Sequence, residues 1–193
     1  RRARHRVGRR AMSDRAARLV IVGAGPRAVM LVERLLARRT KAATPALHVT
    51  LVDPHPPGAG RIWRREQSPL LKLNSMARDV TVFTDESCTL SGPVRSGPSL
   101  IEWAERVRAG SLPDVDIADP DLASELQALR GDSFPTRRLQ SAYLDWFWRR
   151  TVAIAPPGVE VRWHRGAVQW VDDTVDGYEV ALADGIRLPA DIV

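Results

Sequence analysis

The sequence predicts an α/β fold, with a parallel sheet opened by a strand–turn–helix unit and followed by an antiparallel β-meander. Three observations predict it. A short β-branched run, Leu19 to Val22, ends in glycine and leads straight into an apolar-periodic helix. A second apolar run, Leu47 to Asp53, follows that helix after a proline-containing loop, the order that builds a parallel pair. Near the end of the chain, alternating runs are separated by Asp176-Gly177 and Asp184-Gly185, a strong hairpin signal.

Gly23, Gly25 and Ala28 fall in the spacing G-x-G-x-x-[G/A] between the first strand and its helix. Gly23 permits the tight turn, Gly25 lets a pyrophosphate approach bare backbone, and Ala28 is small enough for helix and strand to pack closely. Pro26 occupies the first helical position, where a missing N–H costs nothing. The amides that follow, those of Arg27 and Ala28, and the positive end of the helix then face the phosphates. A glycine-rich turn without a ligand is the plainer alternative. The legible strand and helix on either side favour a dinucleotide site.

The helix is expected from Pro26 to about Arg39. Val29, Val32 and Leu36 lie on one stripe with Ala28, Leu31 and Leu35 alongside, which suits a helix lying on a sheet. Asp53, at the tip of the second strand, is placed to bond a ribose diol, and its charge repels a 2′-phosphate. The Pro/Gly-rich loop that follows carries Gly60 and Trp63 at the carboxyl ends of the strands, where ligand crevices form. Leu70 to Phe83 is apolar but of mixed period. Two short helices, about Ser99–Arg108 and Asp121–Arg130, fall in what reads as an insertion at about 86–133. Pro135 to Arg150 predicts a strong helix, with Leu139, Tyr143, Trp146 and Phe147 as a core stripe. Strands are expected at Val159–Trp163, Ala167–Val171, Tyr178–Leu182 and Ile186–Leu188, and Asp191–Val193 begins another.

The net charge of +6 comes from the start of the chain: residues 1–11 hold six arginines and no acid, and the rest holds 23 basic and 23 acidic residues. A nucleic-acid partner is not expected without a basic face on the folded part. Residues 1–13 are expected to be a disordered basic leader and 14–193 the folded part. Arg9-Arg10 lacks the apolar run of a twin-arginine signal, and no run is long enough to span a membrane, so a cytoplasmic protein with no membrane partner is expected. Cys88 is the only cysteine, which excludes disulfides and thiolate zinc sites. His5, His48, His55 and His164 are scattered, and no metal is expected. Gly-x-Ser-x-Gly is absent, so no nucleophile elbow supports a serine hydrolase.

Together these residues resemble the two-dinucleotide-binding flavoprotein plan. Gly23-Ala-Gly-Pro26 is similar to its flavin fingerprint, with Asp53 in place of the usual glutamate. Gly58-Ala-Gly-Arg-Ile-Trp63 resembles the Gly-Gly-x-Trp loop of flavin monooxygenases at Gly60 and Trp63. Phe134-Pro-Thr-Arg-Arg-Leu-Gln-x-x-Tyr143-Leu-x-Trp146 resembles the helix before the meander in N-hydroxylating monooxygenases. It is still more similar to the bacterial FAD-NAD(P)-binding proteins, as is Leu73-Asn-Ser-Met76 through Phe83-Thr-Asp85.

The resemblance implies a Rossmann-like FAD-binding domain, the N-terminal portion of a flavin-dependent, NAD(P)H-using oxidoreductase or monooxygenase. FAD is its cofactor, with NAD(P)H in the complete protein. It implies pyrophosphate binding at Gly23, Gly25, Pro26, Arg27 and Ala28, ribose binding at Asp53, and cover by the Gly60–Trp63 loop. It places the backbone of Val168 at the adenine edge, and Lys72 and Asn74 near the flavin. The partner is a small-molecule substrate of unstated identity, and no catalytic side chain or oligomeric state is singled out. The chain stops at Asp191–Val193, where the family's Ala-Thr-Gly-like segment begins, so the domain is expected to be incomplete at the C-terminus. Two alternatives stay open: a non-catalytic dinucleotide-binding module, and an NAD-binding dehydrogenase domain, against which the meander counts.

Overall fold

The computed structural model describes residues 15–39, 45–115 and 117–193, so the expected leader at 1–13 lies outside the described residues. The β-branched run forms β1 (Ala17–Val22), and Pro26 opens α1 (Pro26–Arg38). The next strand is β2 (Leu47–Val52). The region expected as an insertion carries α2 (Leu100–Arg108) and α3 (Pro120–Ala128). The long helix is α4 (Arg137–Ala153), and β3 (Val159–His164), β4 (Val168–Thr174), β5 (Gly177–Leu182) and β6 (Arg187–Ala190) follow.

The strands β1, β2 and β3 form a parallel sheet in that order, with Leu19 opposite Val49 and Val49 opposite Val161. A second sheet, β4-β5-β6, is the antiparallel meander. Ile192 bridges Leu19 in parallel on the free side of β1, its carbonyl accepting from the Val20 amide at 3.0 Å. The segment expected to begin a further strand therefore joins the parallel sheet.

The side chains of β1 and β2 alternate between two cores. Val49 and Leu51 pack with α1 and α4, and Val20 and Val52 pack against Val180, Leu182 and Ala190 of the meander. This is the two-faced burial that makes strands of a covered parallel sheet apolar throughout. On α1, Val29, Val32 and Leu36 are buried as expected, whereas Leu31 is 48% exposed, so the apolar stripe is narrower than its sequence suggests. Glu33 is buried instead, ion-paired to Arg34 at 2.6 Å and facing Arg95 at 3.8 Å.

Each helix in the α2–α4 group begins on a side-chain cap. Ser99 and Glu102 form a reciprocal capping box on α2; Asp119 caps α3 ahead of Pro120; and Thr136 accepts from the Leu139 amide on α4. Tyr143 of α4 donates its hydroxyl to the Pro98 carbonyl at 2.6 Å, and burial pushes that hydroxyl's pKa up to about 12. The aromatic stripe of α4 is core: Phe147 meets Phe83 edge-on at 5.1 Å, and Tyr143 lies against Trp103 at 5.6 Å.

The first hairpin turn is Val175-Asp176, one residue earlier than the Asp-Gly signal indicates. Gly177 already pairs with Thr174 as the first residue of β5. Its φ of +130° and the Ala190 carbonyl oxygen beside it leave no room for a Cβ, so the glycine serves the strand crossing and not the turn.

Candidate functional site: a glycine cradle at the strand ends

The turn between β1 and α1 is pinned at both ends of its backbone. The Gly23 amide donates to the Val52 carbonyl at 2.8 Å, and the Ala24 amide to the Asp53 carboxylate at 2.8 Å. Gly23 has φ +99°, which only glycine adopts without strain. Gly25 is the N-cap of α1 and has no side chain to cap it. A Cβ built on Gly23 or on Gly25 would meet nothing within 4 Å, so both Cα faces open onto space that side chains would fill.

The Ala28 and Val29 amides turn back to the Gly25 carbonyl at 3.0 and 3.2 Å. The Ala28 proton is thus donated within the first turn. Among the described residues, the Gly25 and Arg27 amides are the ones left without a partner in this turn, at the positive end of α1. Pro26 between them has no N–H. Ala28 keeps the packing role of a small residue, half-buried against the main core.

Asp53 is 8% exposed and holds two backbone amides, Ala24 on one oxygen and His55 on the other at 2.7 Å. A carboxylate oxygen has two acceptor sites, so the group can shape the glycine turn and still accept from a ligand hydroxyl. The local sequence carries no sign of the Ala24 bond; it follows from bringing the ends of two parallel strands side by side. The backbone of Asp53 is fixed as well. Its carbonyl accepts from the Gly166 amide at 3.3 Å and from the Trp163 indole at 2.9 Å. Val168 opens β4 two residues beyond Gly166 and packs on the second core, so it stands on the Asp53 side of the cradle.

The loop after Asp53 forms the back wall. The Gly58 amide donates to the Ala24 carbonyl at 2.9 Å, and a Cβ on Gly58 would lie 2.6 Å from the Leu144 carbonyl oxygen of α4. Gly60, at φ +56°, sits so close to the turn that its Cβ would lie 2.7 Å from the Gly25 Cα. The loop is thus wedged between the cradle and α4, and both contacts require glycine. Trp63 is half-buried on the main core, with the Arg137 guanidinium 5.4 Å from its ring centre. It anchors the loop to α4.

Lys72 and Asn74 are exposed on a short extended segment paired with the start of α4: Lys72 bridges Thr136, and the Leu73 amide donates to the Pro135 carbonyl at 2.8 Å. Lys72 lines a cavity of about 290 Å³ together with Glu125, Ser133, Phe134, Thr136 and Arg138. Two of these side chains are committed to structure. Glu125 accepts the amide and hydroxyl of Thr136 at 2.7 and 2.6 Å, and Arg138 pairs with Asp119 and donates to the Arg65 carbonyl. Among the described residues no group of His, Cys, Asp or Glu could hold a metal ion, and no helix is long and apolar enough to cross a membrane.

The open glycine faces, the two unpartnered amides and the helix end suit a pyrophosphate, and the acceptor capacity of Asp53 suits a ribose, so the residues present fit a dinucleotide such as FAD. Comparison with known proteins points the same way. The chain is 44% identical over 176 residues to an L-aspartate N-monooxygenase (nitrosuccinate-forming) of Streptomyces davaonensis, covering 90% of this chain and 26% of that protein. It is 45% identical over 184 residues to the protein of the same name from Streptomyces cremeus, covering 92% and 28%. To nitrosuccinic acid synthase npaA of Aspergillus oryzae it is 40% identical over 175 residues, covering 89% and 24%. The chain thus spans about a quarter of the length of these curated relatives. Among solved structures, lysine monooxygenase NbtG from Nocardia farcinica superposes with a TM-score of 0.54 at 20% identity, over 92% of this chain and 41% of that one, a likeness of fold. Residues 20–193, from within β1 to the last residue, match the family described as FAD-NAD(P)-binding, and to that family this chain belongs.

Proposed function

We propose that this chain is the FAD-cradling front portion of an NAD(P)H-dependent flavin N-monooxygenase that acts on a small acidic amino acid of the aspartate class. The observation that carries this is the cradle itself: two open glycine faces and two unpartnered amides at the positive end of α1, beside a buried carboxylate. The substrate class is supported by the relatives, two named for L-aspartate N-oxygenation and one for nitrosuccinate synthesis. The Gly25 and Arg27 amides hold the pyrophosphate, Asp53 accepts from the adenosine ribose, and the backbone near Val168 borders the adenine. Gly60 and Trp63 act indirectly, by fixing the loop that backs the cradle. FAD, when bound, supplies hydride acceptance from the nicotinamide and activation of oxygen; the chain supplies position and electrostatics. A cytoplasmic setting, where reduced nicotinamide is available, belongs to this reading.

The test is a titration of the chain with FAD, ADP and NAD⁺, with Gly25→Val as the probe. Gly25 lies at φ −71° with free space at its Cβ, so the variant is expected to fold, with its melting temperature lowered only by the modest cost of valine at a helix N-cap. It should bind FAD and ADP at least tenfold more weakly, because the valine occupies the phosphate approach. In the complete protein, L-aspartate should accelerate NAD(P)H consumption and give an N-oxygenated product. A chain that takes NAD⁺ but no FAD, or a valine variant that binds as well as the parent, sinks the flavin reading. Indifference of the complete protein to L-aspartate removes the substrate class alone.

A further inference from the structure

The segment 71–73 runs antiparallel to the start of α4. The Leu73 amide donates to the Pro135 carbonyl and the Arg137 amide to the Leu71 carbonyl, each at 2.8 Å. Side chains alternate along such a segment, so the burial of Leu73 turns Lys72 to the other face, beside its partner Thr136. There Lys72 enters the cavity of about 290 Å³, whose opposite wall is α3. Asp121 and Glu125, four residues apart on that helix, share one face of it. Pro69, Leu129 and Phe134 supply an apolar part of the lining. Lys72 and Asp121 are exposed and Phe134 is 45% exposed, so the cavity opens to solvent. The 58–67 loop has this cavity at one end, where the Arg65 carbonyl accepts from Arg138 at 3.1 Å, and the glycine cradle at the other.

Of the four charged side chains in the lining, two are spoken for: Arg138 pairs with Asp119, and each Glu125 oxygen holds one donor of Thr136. The Lys72 ammonium and the Asp121 carboxylate have no hydrogen bond or ion pair among the described residues. The Ser133 hydroxyl accepts from the Arg130 amide at 3.0 Å and keeps its own proton to donate. We infer that this cavity is a binding site for a free α-amino acid with an uncharged side chain, distinct from the glycine cradle. The charge arrangement selects that class. A bare anion would meet Lys72 but face the two carboxylates of α3, and a bare cation would meet those carboxylates but face Lys72. A zwitterion satisfies both walls. Its carboxylate accepts from Lys72 and the Ser133 hydroxyl; its ammonium, with three donors, lies between Asp121 and the remaining acceptor sites of Glu125. With Arg138 neutralised by Asp119, no other lining cation is free for a second carboxylate, which disfavours an acidic side chain. An aliphatic or aromatic one meets Leu129 and Phe134 instead. The volume lies at the foot of the small-ligand range of roughly 300–1,000 Å³, which suits a single amino acid and not a nucleotide. None of these residues holds the dinucleotide in the reading above, so the inference stands apart from it.

The test is a calorimetric titration of the full chain, without FAD, with L-leucine and L-phenylalanine. L-leucinamide, which lacks the carboxylate, N-acetyl-L-leucine, which lacks the ammonium, and L-aspartate are the comparisons. L-leucine or L-phenylalanine is expected to bind with a Kd of about 1 mM or tighter, and the three comparison ligands about tenfold more weakly. Lys72→Met should weaken the amino acid about tenfold and erase its advantage over the amide, while its advantage over the N-acetyl form persists. Asp121→Asn should do the reverse. A variant that had merely lost its shape would lose both discriminations together, so the crossed pattern reports the two contacts. Failure of both amino acids to bind at about 10 mM overturns the site, as does a capped analogue that binds as well as the amino acid. Tighter binding of L-aspartate overturns the uncharged class. Parent-like affinity in both variants places the amino acid elsewhere on the chain and overturns the site too.

Discussion

At the scale of single residues, Asp53 shows how one side chain serves two levels of the structure. Its carboxylate is the acceptor the ligand needs and also the brace of the turn that presents the free amides. Asp53→Ala leaves the Ala24 amide buried without a partner and frees the His55 amide. A loss of about 2–3 kcal/mol in urea unfolding is expected, together with at least tenfold weaker FAD binding. Asp53→Asn should rescue neither in full, because one terminal atom becomes a donor facing a backbone donor. A stability equal to the parent in either variant would show that the turn holds its shape unaided. The glycines divide the same way. Gly23 and Gly25 are needed for what approaches from outside, and Gly58 and Gly60 for what already presses from within.

At the scale of elements, the meander is tied to the parallel sheet by an ionic clasp at the end of β6. The Asp191 carboxylate accepts from the Arg18 amide at 2.8 Å and from the Arg15 and Arg18 guanidinium groups at 2.6 and 3.2 Å. Burial pushes the acid's pKa up, but the Arg15 and Arg18 hydrogen bonds outweigh it and hold the pKa at about 2. A depressed folded pKa contributes stability that is complete above the ordinary carboxylate range, near pH 4, and is lost as pH falls through the folded value. The contribution is about 2 kcal/mol. Asp191→Asn should therefore cost about that much at pH 6 and progressively less from pH 4 down toward pH 2, read by denaturant unfolding at each pH. A cost independent of pH would mean that the bond geometry matters and the charge does not.

The glycine turn and the strand-end acid were legible in the sequence because their signals are local, set by spacing and by intrinsic backbone preference. The placement of Leu31, Glu33 and Gln140 was not. Each sits on a helix face whose burial depends on which distant segment covers it, and apolar periodicity alone places Leu31 inside and is silent on Gln140. The hairpin turn shifted for a related reason: the Asp-Gly pair signals a turn, but Gly177 answers to the Ala190 carbonyl on another strand.

At the scale of the whole molecule, β1 and β2 are shared walls. Val20 and Val52 face the meander, while their neighbours face the helices, so the two cores meet through the same two strands. The described domain is therefore expected to unfold in one transition. Leu182→Ala, in the smaller core, should cost about 2–5 kcal/mol and lower the melting point seen by tryptophan fluorescence and by far-ultraviolet circular dichroism equally. Separate transitions for the two probes would show that the meander melts by itself.

The wedge of Gly58 and Gly60 between the turn and α4 has a bearing on modularity. The strand–helix–strand unit that carries the fingerprint looks like a portable cassette, since its motif is contiguous and its ligand contacts are mostly backbone. Here the cassette borrows its rear surface from a loop that follows it and from a helix eighty-odd residues further along the chain. Transplanted alone into another sheet, it would keep its signature and lose the support that sets the Gly25 amide in place. A transplant that works would have to carry the 54–67 loop and the first turns of α4 with it.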